Sequence, residues 1–146
     1  MGKINIVIGF DFGTKRIGVS VGQFVTKSAS PVCVIRVKKG IPDWEKIQAL
    51  KDEWNIDAFV VGMPYNMDGT EQPITKSAQQ FGNRLKKLFD LPVYYVDERL
   101  TTKAVIGYLK ESNQKKQLQN KKNIDSLAAK IILESFLKST NPGGSL

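Results

Sequence analysis

The run Ile4-Asn5-Ile6-Val7-Ile8-Gly9-Phe10-Asp11-Phe12-Gly13 decides the fold. Read as an extended strand, it puts Ile4, Ile6, Ile8, Phe10 and Phe12 on one face and Val7, Gly9, Asp11 and Gly13 on the other, because successive side chains alternate. One face is bulky and the other nearly bare. A short turn around Gly13-Thr14-Lys15 leads into Arg16 to Gly22, where Ile17, Val19 and Val21 oppose Gly18, Ser20 and Gly22. Two such runs joined by a short turn predict a hairpin. A third apolar run, Ala29 to Val37, continues it as an antiparallel meander.

Further along the chain the period changes. Trp44, Ile47, Leu50 and Trp54 fit a helical stripe, and Asp57 to Gly62 reads as a strand buried on both faces, the mark of a parallel position. Pro73 opens a helix carrying Ile74, Ala78, Phe81, Leu85 and Leu88, and Val93 to Val96 is another short strand. Ala104, Val105, Tyr108 and Leu109 suit a helix, and Ile124, Leu127, Ala128, Ile131 and Phe136 suit a last one, with Asn123 as its cap. The fold class is therefore α/β: a mixed five-stranded sheet, an antiparallel meander followed by parallel strands, with helices on both faces. Residues 1–139 are expected to form a single domain and residues 140–146, with Pro142-Gly143-Gly144, a flexible tail.

At 146 residues, 41% apolar and 25% charged, the chain has the composition of one soluble globular domain. No stretch approaches the roughly 18 apolar residues of a membrane span, so no membrane association and cytoplasmic residence are expected. The single Cys33, between Val32 and Val34, reads as a small buried apolar residue. There is no histidine. That excludes His-based triads, His-zinc hydrolases and His general-base catalysis, and leaves carboxylates, lysines and hydroxyls for any chemistry. The 22 Lys+Arg against 14 Asp+Glu give a net charge of +8, which favours a polyanionic partner such as nucleic acid.

Three acidic positions stand out. Asp11 ends the first strand on its bare face, between Gly9 and Gly13, where a metal ion or phosphate could approach; Asp is equally common simply as a turn starter. Asp97 and Glu98 end the last strand, and alternation sends them to opposite faces, so at most one of them can share a site with Asp11. Asp125, placed in the first turn of the last helix, lies on the stripe of Ala128, Ala129 and Ile132 that faces the sheet, although the helix dipole alone would favour an acid there. Converging at one sheet edge, such hard oxygen ligands suit Mg²⁺ or Mn²⁺. Two ions about 3.5–4 Å apart would serve an in-line phosphodiester displacement without histidine.

Four segments then match something known. Gly9-Phe-Asp-Phe-Gly-Thr-Lys-Arg-Ile-Gly-Val-Ser-Val-Gly22, Val60-Val-Gly-Met-Pro-Tyr-Asn-Met-Asp-Gly-Thr-Glu-Gln-Pro73, Val96-Asp-Glu-Arg-Leu-Thr-Thr102 and Asp125-Ser-Leu-Ala-Ala-Lys-Ile-Ile-Leu-Glu134 closely resemble the YqgF-type family of Holliday-junction resolvases and pre-16S rRNA nucleases. The resemblance implies a ribonuclease H-like fold. It also implies a divalent-metal-dependent nuclease that matures the 5′ end of small-subunit ribosomal RNA or, by analogy, cleaves branched DNA. Carried over by motif, Asp11, Glu98 and Asp125 would be the catalytic, metal-binding carboxylates, and only the resemblance prefers Glu98 to Asp97. The implied partners are structured RNA or branched DNA and ribosomal precursor particles, for a monomer or weak homodimer.

Around that site, Thr14, Lys15 and Arg16 in the first turn, and Arg99, Thr101 and Thr102 after the last strand, are candidates to hold backbone phosphates. In the polar loop from Pro64 to Gln72, Asn66, Thr70 and Gln72 are placed to rim a groove. The segment Lys110 to Lys122 sets Lys110, Lys115, Lys116, Lys121 and Lys122 against Glu111, a net +4, and is either a clamp on nucleic acid or a solvated linker. Two other classes compete. A ribosome-assembly module without turnover would have to tolerate three acids facing phosphate. A phosphotransferase is suggested because Asp11-Phe-Gly-Thr14 resembles the phosphate loop of actin-like and sugar-kinase ATPases. Those enzymes close two domains on the nucleotide, and no Gly-x-x-x-x-Gly-Lys loop is present here.

Overall fold

A computed structural model of the protein describes residues 4–100 and 121–140. The meander forms as the alternation predicts: β1 (Ile6–Asp11), β2 (Arg16–Gln23) and β3 (Ser28–Lys38) pair antiparallel. β5 (Ala58–Met63) lies parallel to β1, and β6 (Val93–Asp97) parallel to β5. Every residue of β5 is buried, as expected of a strand covered on both faces.

The sheet has six strands rather than five, in the order β4-β3-β2-β1-β5-β6. The additional strand, β4 (Ile41–Pro42), is two residues long and pairs with Val37 and Lys38 after a turn in which Lys39 and Gly40 both take positive φ. Two residues carry no period, so nothing in their pattern announces a strand.

The helices α1 (Trp44–Trp54) and α2 (Pro73–Phe89) start and stop on local chemistry. Asp43 caps α1 by accepting from the Lys46 N–H, and Asn55 ends it in the left-handed region. Gln72 and Thr75 form a capping box ahead of α2, with Pro73 in its first turn. The α2 stripe runs through Thr75, Ala78, Phe81 and Leu85, while Leu88 is 52% exposed. The third helix, α3 (Lys121–Ser139), contains Asn123 within it rather than before it, so Asp125 stands beyond the first turn. Its position there owes little to the helix dipole, which acts on terminal turns. The expected helix around Ala104–Leu109 lies outside the described residues, as do residues 141–146 of the expected tail; Thr140 is buried.

Helices cover both faces. On the bulky face Ile8, Phe10, Ile17, Val19, Phe59 and Val61 pack with Ile47 and Leu50 of α1 and Ala78, Phe81 and Leu85 of α2. Phe10 stacks on Phe59 and meets Phe81 edge-on, with centroids 5.8 and 5.1 Å apart. On the bare face Val7, Ala58 and Val60 receive Ile132, Leu133, Phe136 and Leu137 of α3. Ser20, wholly buried, donates to the Ala129 carbonyl at 2.8 Å and fastens α3 to β2. Among the described residues no helix is long and apolar enough to cross a membrane.

Candidate active site

The bare face positions the acids. Asp11 is the last residue of β1 and pairs with Gly18 of β2. On its other side the parallel register Phe10↔Val61 carries Gly62 to the next position along β5. Asp11 thus stands between two glycines, in a row spanning about 10 Å at ordinary strand spacing.

Each glycine lies beneath one of the other acids. A Cβ added to Gly18 would collide with the Asp125 carbonyl oxygen, and one added to Gly62 would lie 2.7 Å from Glu98 Oε1 and 2.7 Å from Ile132 Cδ1. Only a residue without a side chain lets α3 and the end of β6 come this close. Gly18, read from alternation as part of the bare face, thus lies under the Asp125 backbone, and Gly62, which alternation did not single out, lies under Glu98.

The choice between Asp97 and Glu98 is made by the pairing of β6. Val93 packs with the bulky-face cluster and Tyr94 and Val96 with the α3 cluster, so Glu98 follows on the face of Asp11 and Asp97 turns away. Asp97 is engaged there by Arg99, whose Nε and Nη2 reach its carboxylate at 3.1 and 2.7 Å, while the Arg99 backbone N–H adds a bond of 3.0 Å. The Arg99 hydrogen bonds hold the Asp97 carboxyl below its ordinary range.

Asp125 has a different partner. Its Oδ2 accepts from Arg16 Nε at 2.8 Å, joining residues 109 positions apart. Among the described residues no group of three carboxylates or thiols is arranged to hold an ion. The acids share an edge, but Asp125 is directed to Arg16. The chemistry of the donors nevertheless suits a hard divalent cation: Asp11, Glu98 and Asp125 offer carboxylate oxygens, and a guanidinium already rests as a positive charge on Asp125.

The remaining candidates divide three ways. Thr14 and Lys15 are exposed in the β1–β2 turn beside the acids. Arg99 is committed to Asp97, donates from Nη1 to the Met67 carbonyl at 3.3 Å and lies over the Tyr65 ring, so it braces the loop from Pro64 to Gln72. Inside that loop Asn66 Nδ2 donates to Thr70 Oγ1, and the Thr70 hydroxyl donates to Asp68 at 2.6 Å. These polar groups serve the turn, and the Thr70 bonds hold the Asp68 carboxyl low. Thr101, Thr102, Lys115 and Lys116 lie outside the described residues, and of Lys121 and Lys122 only the helical backbone is described. Gly62, which lies under Glu98, is a position that pattern alone does not single out; its signal is a lone glycine inside an apolar strand.

A family model described as RuvX: Holliday junction resolvase matches residues 5–139. A Coxiella burnetii protein named "Putative pre-16S rRNA nuclease" is 48% identical over 133 residues, covering 91% of this chain and 92% of its own. A Pseudomonas paraeruginosa protein of the same name is 44% identical, covering 92% of each. Among solved structures, Thermus thermophilus RuvC in complex with a Holliday junction substrate superposes with a TM-score of 0.56 at 13% identity, over 92% of this chain and 94% of that one. The sheet order and helix placement are those of a ribonuclease H-like fold.

Proposed function

The chain belongs to the RuvX family of Holliday junction resolvases, and from that premise we propose that it is a divalent-metal-dependent nuclease that processes the 5′ end of pre-16S ribosomal RNA in the cytoplasm. The observation that supports this reading is that Asp11 lies in a strand row between Gly18 and Gly62, with the Asp125 backbone close over the first and the Glu98 carboxylate over the second. The names of its relatives favour the ribosomal substrate.

Asp11, Glu98 and Asp125 would hold Mg²⁺ or Mn²⁺, and such ions supply a neutral-pH nucleophile and stabilise charge on the transferring phosphate. The acids would fix the edge at which the scissile phosphate is presented, and the glycines let the Glu98 side chain and the α3 backbone come close to the sheet there. In the reaction water oxygen bonds to phosphorus, one P–O bond breaks, and the leaving oxygen gains a proton. Arg16 holds Asp125 in place through its Nε, and Asp125 would be one of the residues to hold the ion. Lys15 and Thr14, beside the acids, face the strand that carries that phosphate. The working unit is residues 1–139.

A second substrate, branched DNA, is favoured by the family match and by the likeness to RuvC. Resolution needs two coupled active sites, so a stable dimer would support it and a strict monomer the ribosomal reading. The deciding experiment incubates the protein with precursor ribosomal RNA and with a four-way junction, in Mg²⁺ and in Mn²⁺, with Asp11→Asn as the blank. Cleavage of the precursor alone is expected. Absence of cleavage of either substrate would leave a binding protein without turnover.

A further inference from the structure

A groove of about 1150 Å³ opens beside the acid edge, lined among the described residues by Lys15, Arg16, Arg36, Lys38 and Lys46 against one acid, Asp43. Its cations come from separate parts of the chain and are held on bonded backbone. Arg16 and Arg36 face each other across β2 and β3, and the Val37 N–H donates to the Lys15 carbonyl at 3.0 Å. The Asp43 N–H donates to the Arg36 carbonyl at 3.2 Å, and Asp43 in turn accepts from the Lys46 N–H. Among the described residues Lys15, Arg36, Lys38 and Lys46 form no ion pair, and all four are exposed. Such a cluster is self-repelling unless it meets an anion.

The groove also touches Ser126, next to Asp125, and Arg16 belongs to both the groove and the acid edge. On its other side it shares Val37, Ile41 and Pro42 with a hollow of about 480 Å³ lined by Phe12, Trp44 and Arg84. A basic track with aromatic rings alongside is the arrangement that holds single-stranded nucleic acid, phosphates on the cations and bases against the rings.

We propose that this groove binds the single-stranded flank of the substrate, with backbone phosphates on Lys15, Arg36, Lys38 and Lys46 and a base in the hollow beside Trp44. The inference deepens the nuclease reading and rests on it for the identity of the strand. It assigns a path for the chain leading to the acids.

The test is fluorescence anisotropy of a labelled single-stranded RNA oligonucleotide in the Asp11→Asn background, where binding is read without cleavage. A failure here leaves the nuclease reading standing, and a protein that never cuts still answers this question. Replacing Arg36, Lys38 and Lys46 together by Gln is expected to weaken binding about tenfold or more and to flatten the slope of log K against log salt by about 2, near 0.7 for each phosphate no longer neutralised. The same charge removed from α2, as Lys76→Gln, Lys86→Gln and Lys87→Gln, should leave the slope unchanged. Equal slopes for groove variant and parent, equal losses from both triple variants, or a preference for duplex RNA would each overturn the proposal. Should the groove variant unfold, the Trp54→Phe protein decides: Trp44 emission changes on adding the strand if the hollow is occupied, and an unchanged emission overturns it.

Discussion

The two faces of the sheet bury similar backbone by opposite means. The bulky face fills its space with Phe10, Phe59, Ile8 and Ile17, so its helices stand off at the distance large side chains impose. The bare face presents Gly9, Gly18 and Gly62, and its helix comes down until α3 backbone touches strand backbone. The first arrangement supplies stability. The second lets Glu98, just after β6, and the α3 backbone at Asp125 come close to the strands beside Asp11, and it depends on the absence of side chains rather than on their fit.

If that division holds, substitutions on the two faces should fail in different assays. The largest expected effect is on cleavage: Asp11→Asn, Glu98→Gln or Asp125→Asn should each lower the rate more than about 100-fold, the upper range for losing even an outer partner of a metal site. In urea unfolding, Asp125→Asn should shift stability by less than about 1 kcal/mol, because its pair with Arg16 is partly exposed. On the bulky face the pattern reverses. Phe10→Ala should cost about 3–5 kcal/mol of stability while the folded fraction still cleaves.

Between these lies Gly62→Ala. Its new methyl would meet Glu98 Oε1 and Ile132 Cδ1, the movable ends of side chains, so the stability cost should be about 1–3 kcal/mol while cleavage is lost with the displaced Glu98. Gly18→Ala meets the Asp125 carbonyl instead, and backbone has less room to yield, so its stability cost should be the greater of the two. Equal costs, or full cleavage by Gly62→Ala, would erase the contrast between the faces. Ser20→Ala, which removes the bond to the Ala129 carbonyl, should cost about 1 kcal/mol.

The smallest effect concerns Asp97, the acid turned to the other face. Because Arg99 lowers the folded-state pKa of its carboxyl, the stability it adds is present above the ordinary carboxylate range and is lost as pH falls through the lowered value. Asp97→Asn should therefore lose less stability than the parent as pH falls below the ordinary carboxylate range, measured by urea unfolding at each pH. It should leave cleavage near the parent rate.

The two arginine pairs explain why part of the site was legible and part was not. Arg99 and Asp97 are two residues apart, and their fork follows from local geometry once β6 ends. Arg16 and Asp125 are 109 positions apart, and nothing in either segment names the other. The strip of Gly18, Ser20 and Gly22 could be read from alternation; that it lies under α3 could not. The five-stranded expectation fell short by β4, whose two residues exist as a strand only because β3 lends them an edge. The cations of Arg36, Lys38 and Lys46 look like scattered solubility along the chain, and the turn at Gly40 and the cap at Asp43 bring them to one groove.

Alternation, composition and the lack of histidine were enough to fix the three strands of the meander, the bulky and bare faces, and the restriction of any chemistry to acids, lysines and hydroxyls, since each follows from the period or inventory of the chain. Folding in three dimensions decided which of two neighbouring acids lies on the face of Asp11, what Asp125 touches, and where the positive charge collects. Those depend on strand register and helix docking, which are set by contacts between residues far apart in the chain and leave no trace in local pattern.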